Sequence, residues 1–366
     1  QSRRQGGQPD RGRQTRRVTR SRYREQAPGM SSVPRPGPEP FRTVVPVRAN
    51  PRKIALEHRI LSIGSCFVES IGRRLRRFHF HIRENPGGVL YNPHSVAHAL
   101  KRLRGGAAYE QSEIFEHQGL WHSFDHHSRF SAPTPVQCLQ RINAEFERAR
   151  HMLSRLDVLI VTFGTVWAYF RRDNGALVAN CHRLPHDRFE RRLLGTEEIA
   201  TEWHAVLSEL FAEHEGLNVI ATVSPVRHLR DDPHENTVSK ARLITALDRL
   251  EHTFPQLYYF PSYEILLDEL RDYRFYARDM AHPGELARDY IWDRFAEACL
   301  SSRARSLVDH LKPIHTAMAH RIAAPDSCAG RAFARKQLRK IEETGRRFPE
   351  VCLDEETTHF TELNAT

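Results

Sequence analysis

Apolar runs in the middle of the chain predict strands that are buried on both faces of a sheet. The longest spans residues 156–163 (LDVLIVTF), and a second spans residues 217–223 (LNVIATV). Continuous runs of this kind are typical of parallel sheets, because helices cover both faces. Shorter segments over 60–63 and 258–260 have the same character, and 78–82 alternates like a strand. We therefore expect a mostly parallel sheet.

Helical periodicity separates these strands. The apolar residues after Ser65 recur at spacings of four, four and three, which places them on one face of a helix. They are Phe67, Ile71, Leu75 and Phe78. Further helices are predicted at roughly 95–104, 136–155, 196–215, 239–252 and 284–300. Alternating strands and helices predict an α/β fold in which helices flank the sheet.

Polar residues and glycines follow each predicted strand. Because the carboxyl ends of parallel strands share one edge of the sheet, we expect the loops that follow them to meet in one cleft. Asp279 and His282 lie beyond the last strand and just before a helix, so they can join this cleft. The loop residues are Ser65, Gly87–Gly88, Gly164–Thr165, 224–228 and 261–262.

Residues 105–135 are expected to form a long polar loop that carries aromatic side chains. A loop of this length in a compact domain often acts as a lid or a binding loop. It contains His117, His122, His126 and His127, but no metal-ligand spacing such as HExxH is present. We therefore expect solvated histidines here, and we expect neither a metal nor a cofactor.

The positive charge of the 366-residue chain is concentrated at its N-terminus. The formal net charge is +10, and residues 1–42 hold eleven arginines but only three acidic residues. This segment is rich in Arg, Gln, Gly, Pro and Ser, which predicts a disordered basic tail. Since the remaining chain is close to neutral, its charge argues against nucleic-acid binding. The first methionine is Met30, so residues 1–29 are interpreted as an artefact of an upstream start assignment, with a nucleic-acid or lipid-binding arm as the alternative.

Cysteine usage and hydropathy indicate a reduced compartment. The six cysteines are widely spaced and include no CxxC pair, which argues against a disulfide framework or a zinc ribbon. No run of 18 or more apolar residues predicts a membrane span, and no apolar secretory segment is visible near the N-terminus. We therefore expect a cytoplasmic protein that does not contact a membrane. The oligomeric state stays open.

Three residues could together carry nucleophilic catalysis. Ser65 lies where the first buried strand ends and a helix begins, so its hydroxyl is a candidate nucleophile. The alternative is that Ser65 caps the helix. Asp279-x-x-His282 could supply the base and the carboxylate that orients it. The order Ser, Asp, His is that of α/β hydrolases, although their Gly-x-Ser-x-Gly elbow is absent.

An acyl-transfer site also needs N–H donors for an oxyanion. The amides of Ser65 and Gly88 are candidates, and Gly164 or Thr165 could supply a third donor. Arg227 and His228 could bind a carboxylate or phosphate of the substrate, or could equally belong to an ion-paired scaffold.

Several blocks of this chain resemble the GSCFA domain family. The signature Gly-Ser-Cys-Phe-Ala is matched by residues 64–68, with Val68 in place of Ala. The blocks at 90–93, 224–229, 259–264 and 279–283 are also similar. The resemblance covers roughly residues 43–311 and, more weakly, a helical extension at 312–366.

The GSCFA family in turn resembles the SGNH/GDSL hydrolase superfamily. This resemblance implies a flavodoxin-like three-layer α/β/α sandwich, with a C-terminal helical segment added. It also implies that Ser65 is the nucleophile, His282 the base and Asp279 its partner. Gly88 corresponds to the glycine donor. The asparagine donor of the superfamily is missing, and Thr165 stands nearest to its position.

These observations favour a serine-dependent acyl-ester hydrolase whose substrate is a small molecule or a carbohydrate O-acyl ester. One alternative is an O-acyltransferase that uses the same acyl-enzyme. Another is a catalytically weak module that binds a sugar or an ester, because loss of one oxyanion donor costs about 10²–10³ in rate.

Overall fold

Helices and strands alternate along most of the chain in the computed structural model, which describes residues 42–230, 232–322, 324 and 326–365. The strands are β1 (Arg59–Gly64), β2 (His81–Glu84), β3 (Ile114–His117), β4 (Leu120–Ser123), β5 (Val158–Phe163), β6 (Trp167–Arg171), β7 (Leu177–Val178), β8 (Phe189–Leu193), β9 (Asn218–Val223) and β10 (Leu257–Tyr259). The helices are α1 (Cys66–Arg77), α2 (Pro93–Gly105), α3 (Pro135–Leu153), α4 (Thr196–Glu213), α5 (Pro233–Thr253), α6 (Ser262–Glu264), α7 (Glu285–Cys299), α8 (Ser302–Ala319), α9 (Cys328–Arg347) and α10 (Asp354–Ala365).

The central sheet has five parallel strands in the order β10-β9-β5-β1-β2. Numbered among themselves along the chain, these strands run 2-1-3-4-5, which is the flavodoxin-like order. The predicted parallel α/β sandwich is therefore confirmed. The register aligns Ile63 of β1 with Val161 of β5, so both strands end at the same edge.

Side chains alternate across this sheet and build one core on each face. Leu61 and Leu159 point into the core that α2, α3, α4 and α5 cover. Their neighbours Ile60 and Ile160 point into the core formed with α1, α7 and the C-terminal helices. Both faces are therefore covered, which explains the continuous apolar runs in the sequence.

Two segments differ from their predicted structure. The expected long loop at 105–135 contains the antiparallel hairpin β3–β4, whose turn residues Gln118 and Gly119 have φ values of 52° and 76°. A tight hairpin turn requires two residues with positive φ. The Gln118–Gly119 pair between the two strands is the feature of the sequence that could have indicated this hairpin. The predicted strand at 78–82 begins instead at His81, because Phe78 ends α1 and His79 adopts a φ of 62°.

The C-terminal helices α8, α9 and α10 pack on one another and contribute to the same core as α1 and α7. The predicted boundary between residues 311 and 312 lies within α8 and stays a prediction. The predicted disordered tail lies outside the described residues, apart from Arg42. None of the helices in the described ranges is both long enough and apolar enough to cross a membrane.

A buried ion-pair cluster joins the C-terminal helices to the end of α1. The Glu356 Oε1 atom lies 2.8 Å from Nε2 of both His79 and His315. Burial by itself would raise the pKa of Glu356, but the hydrogen bonds from His315 and His79 outweigh it and hold this pKa well below its usual range. Glu356 is therefore ionised at neutral pH and tied to both imidazoles.

Replacing Glu356 by alanine should lower the free energy of unfolding by about 3–5 kcal/mol, because the buried imidazole of His315 and the half-buried one of His79 lose their acceptor. The contribution of Glu356 is present above pH 4.5, its ordinary pKa, and is lost as the pH falls below it. Urea denaturation at neutral pH measures the loss. Glu355→Ala, an exposed neighbour on α10, is the matched control. Equal stability of the two variants would contradict the prediction.

Candidate active site

The junction of β1 and α1 is held by backbone geometry that only glycine adopts easily. Gly64 has a φ of +138°, and a Cβ atom there would lie 2.1 Å from the carbonyl oxygen of Thr162. Its N–H donates to the Asn85 side chain over 2.8 Å. The next residue, Ser65, occupies the N-cap position of α1 but makes no side-chain cap. Capping therefore does not explain the Ser65 hydroxyl.

Asp279 and His282 form a hydrogen-bonded pair in the loop before α7. The Asp279 Oδ2 atom lies 2.6 Å from His282 Nδ1, and Oδ1 accepts the N–H groups of Ala281 and His282 over 3.0 Å. These two backbone hydrogen bonds are the largest causes that lower the pKa of Asp279, to about 2. The carboxylate therefore stays ionised at neutral pH and holds the imidazole with Nε2 turned away from it.

The loop is tied to the neighbouring sheet-edge loop. The N–H of Arg227 donates to the carbonyl of Ala281 over 3.0 Å, and the N–H of Ala277 donates to that of His282 over 2.7 Å. The side chains of Asp279 and His282 remain about half exposed, at 52% each. The pair is thus fixed by backbone contacts while its side chains stay half exposed.

His282 meets the β1–α1 junction at Cys66. The His282 Nε2 atom lies 3.7 Å from Cys66 Sγ. The Ser65 Oγ atom is buried and has no hydrogen-bond partner among the residues that the structure describes. The structure therefore brings the predicted Asp279–His282 pair to the predicted junction, and the side chain that it contacts there is Cys66.

The thiol of Cys66 is protonated in this environment. Burial raises its pKa most, and the charge of Glu69 raises it further. Lys240 and the N–H groups of Cys66 and Phe67 act in the opposite direction. These two amides belong to the first turn of α1, where backbone donors have no partner inside the helix.

The four amides predicted as oxyanion donors are already occupied. The N–H of Ser65 donates to Thr162 O over 3.0 Å, and that of Gly88 donates to Asn85 O over 2.8 Å. The N–H groups of Gly164 and Thr165 both donate to the carbonyl of Tyr91, in the loop after β2, over 2.8 and 3.0 Å. The sheet ladder and the turns use these amides in the described fold, and their role as oxyanion donors stays a prediction.

Thr165 and Gly88 pack closely against neighbouring loops of the fold. Thr165 Oγ1 lies 3.1 Å from Ser239 Oγ and accepts the N–H of Trp167, so this hydroxyl serves a turn. Gly88 has a φ of +90°, and a Cβ there would lie 2.1 Å from His127 Cβ. Both residues therefore have a structural role in the described fold.

Gly164 lies directly beside the junction. A Cβ added to it would stand 3.3 Å from Ser65 Cβ and 3.2 Å from His228 Nε2. The absence of a side chain at Gly164 therefore lets the β1–α1 and β9–α5 loops approach each other. His228 lines this region, with its ring edge-on to Tyr91 at 5.8 Å.

Arg227 has a scaffold role in the structure. Its side chain hydrogen-bonds to Tyr276, and its charge lies near Tyr263. Its backbone N–H holds the Asp279–His282 loop through Ala281. Of the two predicted substrate-binding residues, His228 is thus the one beside the junction.

Lys240 of α5 lies close to the junction, and the sequence did not indicate its role there. Its side chain is completely buried below the junction, and Nζ donates to Gly164 O over 2.6 Å and to Ser224 O over 2.8 Å. Burial lowers its pKa to about 7, and a neutral amine retains the two N–H groups that these bonds need. Lys240 therefore ties together the loops that follow β5 and β9.

Replacing Lys240 by methionine should lower the free energy of unfolding by about 2–4 kcal/mol, because two buried carbonyls lose their donor. Denaturant unfolding measures the loss, and Lys101→Met, at an exposed lysine, is the matched control. Equal losses in the two variants would contradict the assigned role.

The difference between wild type and Lys240→Met should also depend on pH. Because the folded pKa, about 7, lies below the ordinary 10.5, the unfolded chain binds more protons between these values. Wild-type stability should therefore rise relative to the variant from pH 7 to pH 10. A difference that is flat over this range would contradict the lowered pKa.

Two of the four histidines that were predicted to be solvated, His122 and His126, are buried. His122 and His126 are 7% and 5% exposed. His122 Nδ1 lies 2.6 Å from Ser131 Oγ, and His126 Nδ1 lies 2.9 Å from Ser123 Oγ. Solvation of these two side chains was wrongly predicted, because the β3–β4 hairpin folds them inward.

Elsewhere in the described part of the chain, three side chains that could together bind a metal ion lie close to one another. The ligand atoms of His79, His315 and Glu356 lie within 4.8 Å of one another. Imidazole nitrogens and a carboxylate oxygen are ligands that Zn²⁺ accepts. The residues come from distant segments, so no spacing in the sequence could have indicated this cluster.

Comparisons with known proteins place the chain in a family. No curated protein matches it. A solved structure that matches is an acetyl xylan esterase from the rumen bacterium Butyrivibrio proteoclasticus, with 11% identity and a TM-score of 0.34. The match covers 75% of this chain and 66% of that one, slightly less than two thirds. A likeness this distant bears on neither substrate nor residue roles.

The family models cover both parts of the chain. The model of the GSCFA family matches residues 59–295, which include the β1–α1 junction and the Asp279–His282 pair. The model of the GSCFA C-terminal domain matches residues 311–365. The predicted resemblance is therefore confirmed, and this protein belongs to the GSCFA family.

Proposed function

We propose that this protein hydrolyses acyl esters through a covalent acyl-enzyme formed at the β1–α1 junction. The observation that carries the proposal is the Asp279–His282 pair, joined over 2.6 Å, with His282 Nε2 turned to that junction. An imidazole oriented by an ionised carboxylate is suited to take a proton from a nucleophile and to return it to a leaving group.

Two further features support acyl chemistry. The amides of Cys66 and Phe67 lie at the positive end of α1, where they can stabilise a developing oxyanion. Large apolar side chains are exposed on the loops around it, namely Tyr91, Leu229 and Met280. These side chains offer contacts to the carbon atoms of an acyl group or of the alcohol that carries it.

The substrate class follows from the openness of the site. Because Asp279 and His282 are half exposed, a bulky alcohol can remain in solvent while its ester carbonyl reaches the nucleophile at the β1–α1 junction. We propose a short O-acyl ester on a small molecule or carbohydrate. The nucleophile that the sequence predicts at this junction is Ser65.

The test is an esterase assay on short p-nitrophenyl esters and O-acetylated sugars. Wild type should turn these over, and His282→Ala should lose activity by about 10²–10⁴-fold, the usual contribution of a general base. His151→Ala, at an exposed histidine of α3, is the matched control and should keep wild-type activity. Ester binding without turnover in the wild type would contradict hydrolysis and support the binding-module alternative.

A further inference from the structure

We infer that the nucleophile of the proposed ester hydrolysis is the thiol of Cys66, not the hydroxyl of Ser65, so that the acyl-enzyme is a thioester. The inference rests on the proposed function. It assigns a catalytic residue in the junction that neither the sequence motif nor the family match distinguishes from its neighbour.

Contact with the base separates the two side chains. A nucleophile must reach the nitrogen that takes its proton. Cys66 Sγ lies 3.7 Å from His282 Nε2, within hydrogen-bond range for sulfur. Asp279 Oδ2 contacts the other ring nitrogen of His282, Nδ1, over 2.6 Å. Ser65 Oγ makes no hydrogen bond to any described residue and has almost no accessible surface.

Access to substrate separates them again. Ser65 is 1% exposed because it lies between the end of β1 and Gly164. Cys66 is the first residue of α1 and is partly exposed. An acyl carbonyl can therefore approach Sγ from solvent, whereas Oγ would first have to turn out of its buried position.

The oxyanion donors also match Cys66. The N–H of Ser65 is used by Thr162 O in the sheet ladder. The N–H groups of Cys66 and Phe67 instead belong to the first turn of α1, where the helix offers them no acceptor. A carbonyl attacked by the Cys66 sulfur would place its oxygen near these two helix-terminal amides, which is the arrangement that acyl transfer requires.

The thiol is neutral at rest, so His282 has to act as a general base. In the first step, Sγ forms a bond to the ester carbonyl carbon and its proton passes to His282 Nε2. The tetrahedral intermediate then breaks its C–O bond, and the alcohol leaves with the proton from Nε2. A thioester on Cys66 remains.

Hydrolysis of the thioester regenerates the enzyme, and His282 again accepts and then returns a proton. Water gives a proton to His282 Nε2 as its oxygen bonds to the thioester carbon. The C–S bond breaks, Sγ takes the proton back from Nε2, and the carboxylic acid departs. No oxidant, reductant or metal takes part in this sequence.

The experiment combines kinetics with identification of the acylated residue. Cys66→Ala should lose at least about 10³-fold in kcat/KM, as expected for removal of a nucleophile. Ser65→Ala should stay within about tenfold of wild type. Wild type quenched in acid during turnover of p-nitrophenyl acetate should carry one acetyl group on Cys66, mapped by peptide mass spectrometry and released by neutral hydroxylamine.

A second measurement tests the thiol–imidazole pair without any substrate. In a background in which the exposed Cys328 and Cys352 are serine, iodoacetamide should alkylate Cys66 faster in wild type than in the His282→Ala variant. This readout also guards against a Cys66→Ala variant that fails to fold. Cys328→Ser alone is the matched control and should keep full esterase activity.

The outcomes keep the two proposals apart. An acetyl group on Ser65, or full activity in Cys66→Ala, would overturn the role of Cys66 while ester hydrolysis stands. No turnover and no adduct in wild type would refute ester hydrolysis, and the alkylation rates would then decide on Cys66. If its alkylation did not depend on His282, the inference would also be overturned.

Discussion

Replacing Asp279 by asparagine should lower kcat/KM for the proposed ester hydrolysis by about 10³–10⁴-fold while leaving the fold intact. An asparagine Oδ1 can still accept the N–H groups of Ala281 and His282, so the loop keeps its shape. The new Nδ2, however, is a donor and cannot accept the Nδ1–H of His282. The imidazole then loses the tautomer that leaves Nε2 able to take a proton.

The chain offers a close control for this variant. Asp272 also accepts a backbone N–H two residues ahead, that of Arg274 over 3.0 Å, but it contacts no group of the site. Asp272→Asn should therefore keep wild-type activity. Steady-state kinetics on p-nitrophenyl esters and circular dichroism of both variants check the prediction. An Asp279→Asn enzyme with more than a tenth of wild-type activity would show that His282 does not need its carboxylate.

Replacing Gly64 by alanine should destabilise the fold by about 3 kcal/mol or more, through backbone strain and overpacking together. Its φ of +138° is strained for any L side chain, and the new Cβ would lie 2.1 Å from Thr162 O. That oxygen is a backbone atom in a parallel ladder and cannot move aside without breaking the pairing of β1 with β5. The added methyl group must therefore distort the junction itself.

A matched glycine separates this effect from a general preference for glycine. Gly105 is the last residue of α2, and a Cβ there would meet no atom within 4 Å. Gly105→Ala should be neutral or slightly stabilising, because alanine favours the helix. Urea unfolding, or the soluble yield where Gly64→Ala does not fold, measures the difference. Equal stability of the two variants would show that β1 tolerates a side chain at its end.

The chain's local patterns were sufficient to predict the layers and the edge that carries the site. The apolar runs at 156–163 and 217–223 identified buried strands, since a strand covered by helices on both faces has few polar positions. The Asp279-x-x-His282 spacing identified the pair, because an aspartate three residues before a histidine can accept hydrogen bonds from both the backbone N–H and the ring N–H of that histidine. These features depend on neighbours in sequence.

Other features depend on segments that only folding brings together, and local patterns could not predict them. The amides of Gly164 and Thr165 were candidate oxyanion donors in the sequence, but the Tyr91 carbonyl in the loop after β2 accepts both N–H groups. Lys240 looked like an ordinary helical lysine, and its role appears only where the loops after β5 and β9 meet above it.

The sequence by itself determined the α/β order, the β1–α1 junction and the Asp279–His282 pair, because each follows from a period or a short spacing along the chain. Only the tertiary structure decided which of two adjacent side chains at the junction faces His282. Ser65 and Cys66 are neighbours in sequence, yet the turn from strand to helix sends one side chain inward and the other toward His282. That direction is set by the backbone angles at Gly64 and Ser65, which no residue type alone specifies.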